Sequence, residues 1–450
     1  MEKQGLSQFE KMTQTPILPL LIKLSVPTII SMLITNIYNL ADTAFVGRLG
    51  NSASGAVGVV FGFMSIIQAV GFMFGQGAGS IVSRSLGKQD TDHAGTTAST
   101  GFFGVLFFGA IITVGGFIFL DPLVELLGST DTIAPYAKTY ITYILAAAPL
   151  MTATFFLNNI LRYEGKAMLG MIGMMIGAVL NIGGDAVFMF GFNMGIAGAG
   201  LSTALSQSIS FFVLLSMFFR GKTQSKISLR KSSFSFVLGL NIMATGFPSL
   251  LRQGLSSITT VLLNNQASVY GDEAVAAMSI VARITFFVSS VALGIGQGFQ
   301  PISGFNYGAK KYDRLRQAYR FTLLLSEGVV IFAAVIVLIY SKGLIGIFRD
   351  DATVIEIGTR ALQIQCIAIV FLPLGMVTEM LFQSTGKRSG AAILSSLRNG
   401  LFFIPALLIL PKIRGLYGVE EAQPAAFVLA FVPALFFMLW FFRKLPRDEQ

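Results

Sequence analysis

Polar residues along this chain are gathered into short clusters, and twelve long apolar runs lie between them. The runs fall at about 20–46, 53–83, 93–120, 132–161, 167–191, 195–219, 238–268, 273–305, 317–340, 353–384, 389–410 and 424–442. Each is close to or beyond the roughly 20 residues that cross a hydrocarbon core about 30 Å thick. In lipid every backbone N–H and C=O needs an internal partner, so the runs predict helices. The pattern therefore predicts an all-α polytopic membrane protein with 12 transmembrane helices.

The pattern also repeats. Moved by 221 residues, the chain lies on itself: Pro27 meets Pro248, Gly50 meets Gly271, Gly87 meets Gly308, and Gly165 with Lys166 meets Gly386 with Lys387. Gly75, Gln76 and Gly77 meet Gly296, Gln297 and Gly298. The unit is far too long for a solenoid. It predicts two pseudo-symmetric six-helix lobes, 1–220 and 238–450, joined by a polar, basic, serine-rich connector at 221–237. Six spans per half start both halves on the same side. That is the parallel arrangement of transporter repeats, with a cleft between the lobes as the natural substrate path.

Composition sharpens this picture. Hydrophobic residues make up 54% of the 450 residues and charged residues 12%, where a soluble chain carries about 25% charged residues. The net charge is +10, but its placement says more than its size. Basic residues occupy alternate loops (Arg84 and Lys88; Arg162 and Lys166; Arg220 to Lys231; Lys310 to Arg320; Lys387 and Arg388) and both terminal segments, with Lys3, Lys11, Arg443, Lys444 and Arg447. The intervening loops carry Asp121, Glu125, Asp131, Asp272, Glu273, Asp350, Asp351, Glu420 and Glu421. The positive-inside rule puts both termini and the connector in the cytoplasm. Charge in short loops between apolar runs does not call for nucleic acid. The first 19 residues are polar and lead into a full-length span, so no cleavable signal peptide is expected. The lone Cys366 excludes an internal disulfide, and the lone His93 sits in a polar loop.

Ionisable residues within spans are the strongest functional candidates, because a charge at the bilayer centre costs about 2.5–3.5 kcal/mol on the mildest scale. These are Asp42, Asp185, Glu327, Glu379, Arg252, Arg283 and Arg398. Ser31, Thr35 and Tyr38 fall at helical spacing to Asp42 and form one polar stripe, and Pro27 gives the same helix a bendable point. Asn181 lies one turn before Asp185 among Gly173, Gly177 and Gly184, so an amide and a carboxylate share a face. Their oxygens suit a sodium ion or a shared proton. Two carboxylates at similar depth would titrate as a coupled pair. Thr203 adds a hydroxyl, Asn158 and Asn159 are amides at membrane depth that read equally as cargo contacts or helix packing, and Thr35 joins them as a candidate cavity residue. In the second half Asp42 falls on Leu263, so the acid is not duplicated. There Glu379 is expected to pair with Arg398 or Arg252, and Arg283 with Glu327.

Catalytic motifs, phosphate-binding loops and cofactor sites are absent from the sequence, so an enzyme is not expected. The Gly-rich run at 75–79 lies inside a span and reads as close helix packing. Without a nucleotide site, energy must come from an ion gradient, or the protein is passive.

The residues at 40–50 (LADTAFVGRLG) and 294–310 (GIGQGFQPISGFNYGAK) resemble the multidrug and toxic compound extrusion (MATE) family over essentially the whole chain. Asn181 and Asp185, within NIGGD at 181–185, are similar to the DinF-like and MepA-like bacterial branch. The resemblance implies a V-shaped fold of two six-helix lobes. It implies a secondary active antiporter in the bacterial inner membrane, exchanging cationic or amphipathic drugs for H+ or Na+, without cofactor and as a monomer. It implies ion-coupling roles for Asp42, Asn181, Asp185 and Thr203, a first-lobe cavity lined by Tyr38 and Asn158, and a hinge at Pro27. The acid that another branch carries in the seventh helix is missing here. A lipid-linked saccharide flippase of the same superfamily is the alternative, resting on Arg252, Arg283 and Arg398.

Overall fold

The structure, a computed structural model, describes residues 7–233 and 235–448; Lys3 lies outside them. Among the described residues all regular structure is helical. Twelve long helices follow one another: α1 Ile17–Gly47, α2 Asn51–Gly87, α3 Thr91–Ile118, α4 Ala134–Tyr163, α5 Ala167–Gly191, α6 Ile196–Phe219, α7 Phe236–Ser268, α8 Asp272–Gly308, α9 Tyr312–Ile339, α10 Ala352–Ser384, α11 Arg388–Arg414 and α12 Leu416–Lys444. Eleven are long and apolar enough to cross a membrane. The exception, α7, is 33 residues long, but Asn241, Arg252, Gln253, Asn264 and Asn265 lower its mean hydropathy.

The repeat is written into the backbone. Left-handed residues end corresponding helices: Gly165 (φ 78°) and Gly386 (φ 82°), Gln89 (φ 61°) and Lys310 (φ 59°). Each is followed by an amide that returns five residues to a carbonyl. Lys166 bonds Leu161 and Lys387 bonds Phe382, both at 2.8 Å; Asp90 bonds Ser85 and Lys311 bonds Asn306, both at 2.9 Å. This is the Schellman way of satisfying orphan carbonyls at a helix end.

The chain forms two compact units. Unit 1 takes the residues up to Phe9 and Ile30–Leu250; unit 2 takes Glu10–Ile29 and Leu251 onward. The two cuts in α1 and α7 lie at repeat-equivalent positions, two residues after Pro27 and Pro248. Each half therefore lends the first part of its leading helix to the other unit. Within each unit the fourth helix is the hub. Its apolar window is 78% buried in α4 and 72% buried in α10. Around α4, Tyr140, Ile141, Ile144, Leu145 and Met151 pack with Val57, Val60 and Ile67 of α2.

Glycine sets how closely the lent segments approach. In unit 1 a Cβ on Gly246 of α7 would stand 1.7 Å from the Met73 carbonyl oxygen of α2, and one on Gly77 would stand 2.1 Å from the Ile242 oxygen. In unit 2 the same crossing recurs between α8 and the start of α1, where a Cβ on Gly298 would meet Ser25 Cα at 2.8 Å. The Gly-Gln-Gly runs thus serve backbone-to-backbone packing. Ser249 donates to Gln76 Oε1 at 2.7 Å within the first crossing.

The connector is fastened to unit 1 by Glu164, which is fully buried. Its carboxylate accepts from the Gln224 amide at 2.9 Å, the Ser225 amide at 2.8 Å and the Ser225 hydroxyl. Further along, Ser99 accepts from the Ser228 amide and Thr100 from the Ser233 amide, at 3.1 and 3.0 Å. Burial pushes the Glu164 carboxyl above its ordinary value, while Ser225, the two amides and Lys166 pull it back. A carboxyl raised in the docked state favours docking most below its ordinary titration range. That contribution is lost as pH climbs through the raised value.

Two outcomes are expected. Gly246→Ala and Gly77→Ala should sharply lower folded yield and melting temperature in detergent, since backbone must move. Gly62→Ala, with nothing within 4 Å, should leave both unchanged. Glu164→Ala should expose the connector to protease. Its orphaned donors cost about 3 kcal/mol, on the order of 100-fold in the undocked population. Wild-type cleavage should be slower at mildly acidic than at neutral pH, a slope that Glu164→Gln should flatten.

Candidate functional site

The polar heart of unit 1 is built on four helices. From α1 come Tyr38 and Asp42, one turn apart, and from α4 comes Tyr140. Helix α5 supplies Asn181 and Asp185, and α6 supplies Ser202, Thr203 and Gln207. Small residues press α5 onto α6: a Cβ on Gly177 would stand 2.5 Å from Ser210 Oγ, and one on Gly184 would stand 2.5 Å from Ser202 Oγ. Directly after Asp185 the helix widens into a π-turn, Ala186–Gly191, a distortion that often marks functional helices.

Asp42 is 7% exposed and Asp185 0%. Tyr140 donates to Asp42 Oδ2 at 3.2 Å; its hydroxyl also stands beside Thr203 and lies within electrostatic range of both acids. Asp42 and Asp185 lie within range of each other. Asn181 donates to Thr203 Oγ1 at 3.1 Å. Ser202 stands beside Asp185 but donates to the Asn181 carbonyl at 2.9 Å. Asp42 Oδ1, Asn181 Oδ1 and both carboxylate oxygens of Asp185 are buried without a hydrogen-bond donor. Among the described residues no basic side chain forms an ion pair with either acid.

The four residues expected to handle an ion therefore stand in one neighbourhood, and their spare atoms are all oxygen acceptors. A proton on either carboxylate satisfies this chemistry, as does a hard cation that takes oxygen ligands.

The expected cavity residues are dispersed. Tyr38 accepts from Gln207 at 3.5 Å and borders the acid cluster. Thr35 donates to the Ser31 carbonyl of its own helix at 2.9 Å. Asn158 is half-buried under Gly170, where a Cβ would meet its Nδ2 at 2.9 Å. Asn159 is buried beneath Gly75, donates to the Phe155 carbonyl at 2.7 Å and accepts from Arg162. Pro27 lies inside α1, where it offers no amide to the carbonyl four residues back. The next residue, Thr28, donates to the Leu24 carbonyl at 2.8 Å. Tyr140 and Gln207 were not among the expected residues. A hydroxyl or amide in an apolar run looks like ordinary packing until a carboxylate is placed beside it.

Unit 2 handles its charges differently. Arg252 and Glu379 form a buried ion pair at 2.6 Å. Arg398 donates to Asn399 Oδ1 at 3.3 Å and lies over the Phe427 ring. Arg283 forms no ion pair with Glu327 among the described residues.

Comparison with known proteins identifies the family. The MatE family profile matches residues 27–187 and 248–408, once in each half. The chain is 28% identical over 93% of its length to the multidrug export protein MepA of Staphylococcus saprophyticus, covering 92% of that protein. It superposes with a TM-score of 0.92, at 25% identity, on an outward-facing multidrug resistance MATE family transporter of the MOP superfamily, covering 99% of this chain and 100% of the other. A MATE structure in a bent conformation gives a TM-score of 0.90 at 26% identity, covering 97% and 98%. With the profile falling on both repeats, this multi-pass membrane chain belongs to the MATE family, whose members are transporters and not enzymes.

Proposed function

We propose that the protein is a secondary active multidrug efflux antiporter, exporting cationic or amphipathic small molecules in exchange for H+ or Na+. The observation that carries this reading is the set of donorless oxygens on Asp42, Asn181 and Asp185, buried in unit 1 where, among the described residues, no basic side chain pairs with either acid. An ionised carboxylate there costs several kcal/mol unless something positive accompanies it. A proton or sodium ion meets that demand, and so does a cationic drug nearby. Ion and cargo then compete for the same negative charge, which produces exchange without direct contact between them. Tyr38 and Asn158 are the proposed drug-facing residues. Protonation or sodium binding at Asp42 and Asp185 relaxes the outer part of α1, and Pro27 provides its hinge. The resemblance to a transporter solved in a bent conformation supports the hinge. The similarity to MepA supports drugs as cargo.

On this reading both termini and the connector lie on the cytoplasmic side of a bacterial inner membrane, which the basic loops support, and the monomer is the working unit. The flippase alternative needs free basic charge for a phosphate-linked cargo. Arg252 is instead committed to Glu379.

In vesicles with an imposed proton or sodium gradient, Asp42→Asn and Asp185→Asn should each reduce gradient-driven ethidium efflux by at least about tenfold while expression stays normal. The gradient that drives the wild type identifies the ion, and undiminished efflux in both variants refutes the coupling role. Tyr140→Phe removes the single donor to Asp42 Oδ2. It should shift the pH midpoint of transport while sparing drug binding, with a cost of roughly 1 kcal/mol.

A further inference from the structure

A second cluster of charge lies at one end of unit 2, outside the acid site. The first turns of α9 and the last turn of α12, with the residues just after it, enclose a cleft of about 540 Å³ lined by Asp313, Arg316, Arg320, Phe442, Arg443, Leu445 and Arg447. Four guanidinium groups face one carboxylate. Arg316 is engaged, donating to Asp313 Oδ1 and to the Leu445 carbonyl, both at 2.6 Å. The nearby Asp448 is also spent, accepting from the Tyr312 amide at 2.6 Å and the Asp313 amide at 3.3 Å. Arg320, Arg443 and Arg447 are exposed and make no ion pair among the described residues.

This arrangement is unfavourable by itself. Arg316 and Arg320 are like charges one helical turn apart, a repulsive spacing, and two further arginines close the same cleft. The floor is apolar: Leu445 is buried, and the Phe442 ring meets Tyr319 at 4.9 Å between centroids. Beside it Lys444 folds over Trp440, its Nζ 4.6 Å from the ring centroid. This is the posture of a cation at a membrane interface. Basic pockets above an apolar floor at the ends of spans match the head group and first acyl carbons of an acidic lipid. The planar guanidinium fork matches phosphate oxygens.

We propose that this cleft binds a phosphate-bearing anion, with an anionic phospholipid head group as its source, held by Arg320, Arg443 and Arg447 over Phe442. Occupancy fastens the end of α12 to the start of α9.

The test uses the full-length protein in nanodiscs of phosphatidylcholine, with or without phosphatidylglycerol, and the double variant Arg320→Gln/Arg447→Gln. Both side chains are exposed, so folding should survive. Arg230→Gln on the connector serves as the control. Retained lipid is read by native mass spectrometry and stability by melting temperature. Wild type and control should retain phosphatidylglycerol and melt higher with it. The double variant should lose affinity by roughly fivefold per arginine. Inorganic phosphate added to the phosphatidylcholine discs separates the sources. Matching stabilisation of wild type but not of the variant keeps the phosphate site and assigns it to the soluble anion. Equal lipid retention by variant and wild type, or no response to either anion, overturns the proposal.

Discussion

A carboxylate buried among helices cannot stay ionised without something positive beside it, and unit 1 is organised around two that have no basic partner among the described residues. Among the described residues only Tyr140 donates to Asp42, and a hydroxyl does not offset a full charge in a dry bundle. The glycines of α5 matter because they bring α6 close enough for Asn181 and Thr203 to join the same cluster. The π-turn after Asp185 matters because it ends the regular ladder where the second acid sits. Unit 2 meets the same constraint internally. Arg252 and Glu379 neutralise each other at 2.6 Å, so that buried charge has no need of a visiting cation. Breaking such a pair would cost about 3–5 kcal/mol, which suits a fixed strut better than a cycling site.

The two halves therefore share a backbone and differ in chemistry. Left-handed helix ends recur at the same shift, as does the close crossing of the leading helix with a Gly-Gln-Gly run. These features depend on the absence of a Cβ or on a single positive φ, and few substitutions preserve them. Side chains facing the bundle interior have more freedom. Asp42 is matched by the buried apolar Leu263, and Asp185 by Ala406. Two like scaffolds thus carry different buried charge: acids without an ion-pair partner among the described residues in unit 1, and a closed ion pair in unit 2.

What could be read from sequence follows from this division. Twelve spans stand out because lipid demands long apolar runs, and the glycine and proline pairs reveal the repeat because their conformational roles are local. The cluster of Asp42, Asn181, Asp185 and Thr203 was accessible because acids in spans are costly. Tyr140 was not, since a tyrosine in a hydrophobic helix is indistinguishable from core. Glu164 was hidden for the opposite reason: flanked by Arg162 and Lys166, it looks like one more charge in a wet loop. Its burial appears only once the connector folds over it. The exchange of the first segments of α1 and α7 between units leaves no trace in hydropathy, which reports burial and not the identity of neighbours. The expected meeting of Arg283 with Glu327 also failed because depth in the membrane was known and helix rotation was not.

Helix α1 ties these strands together. Up to Ile29 it belongs to unit 2, locked against Gly294 and Gly298 by contacts that leave no room for a methyl group. Beyond Ile30 it belongs to unit 1 and carries Tyr38 and Asp42. Just before that boundary, Pro27 removes one backbone hydrogen bond, and the Thr28 hydroxyl bonds the Leu24 carbonyl, a contact that often bends helices. On the proposed mechanism, an arriving proton or sodium ion relieves a charge-burial penalty of several kcal/mol at one end of a helix whose other end is held fast. Couplings between sites in proteins are typically about 1–3 kcal/mol. On this proposal, neutralising Asp42 supplies enough to move the outer part of α1, which swings from a turn that Pro27 and Thr28 weaken and that the contacts of Ser25 and Ile29 hold on either side.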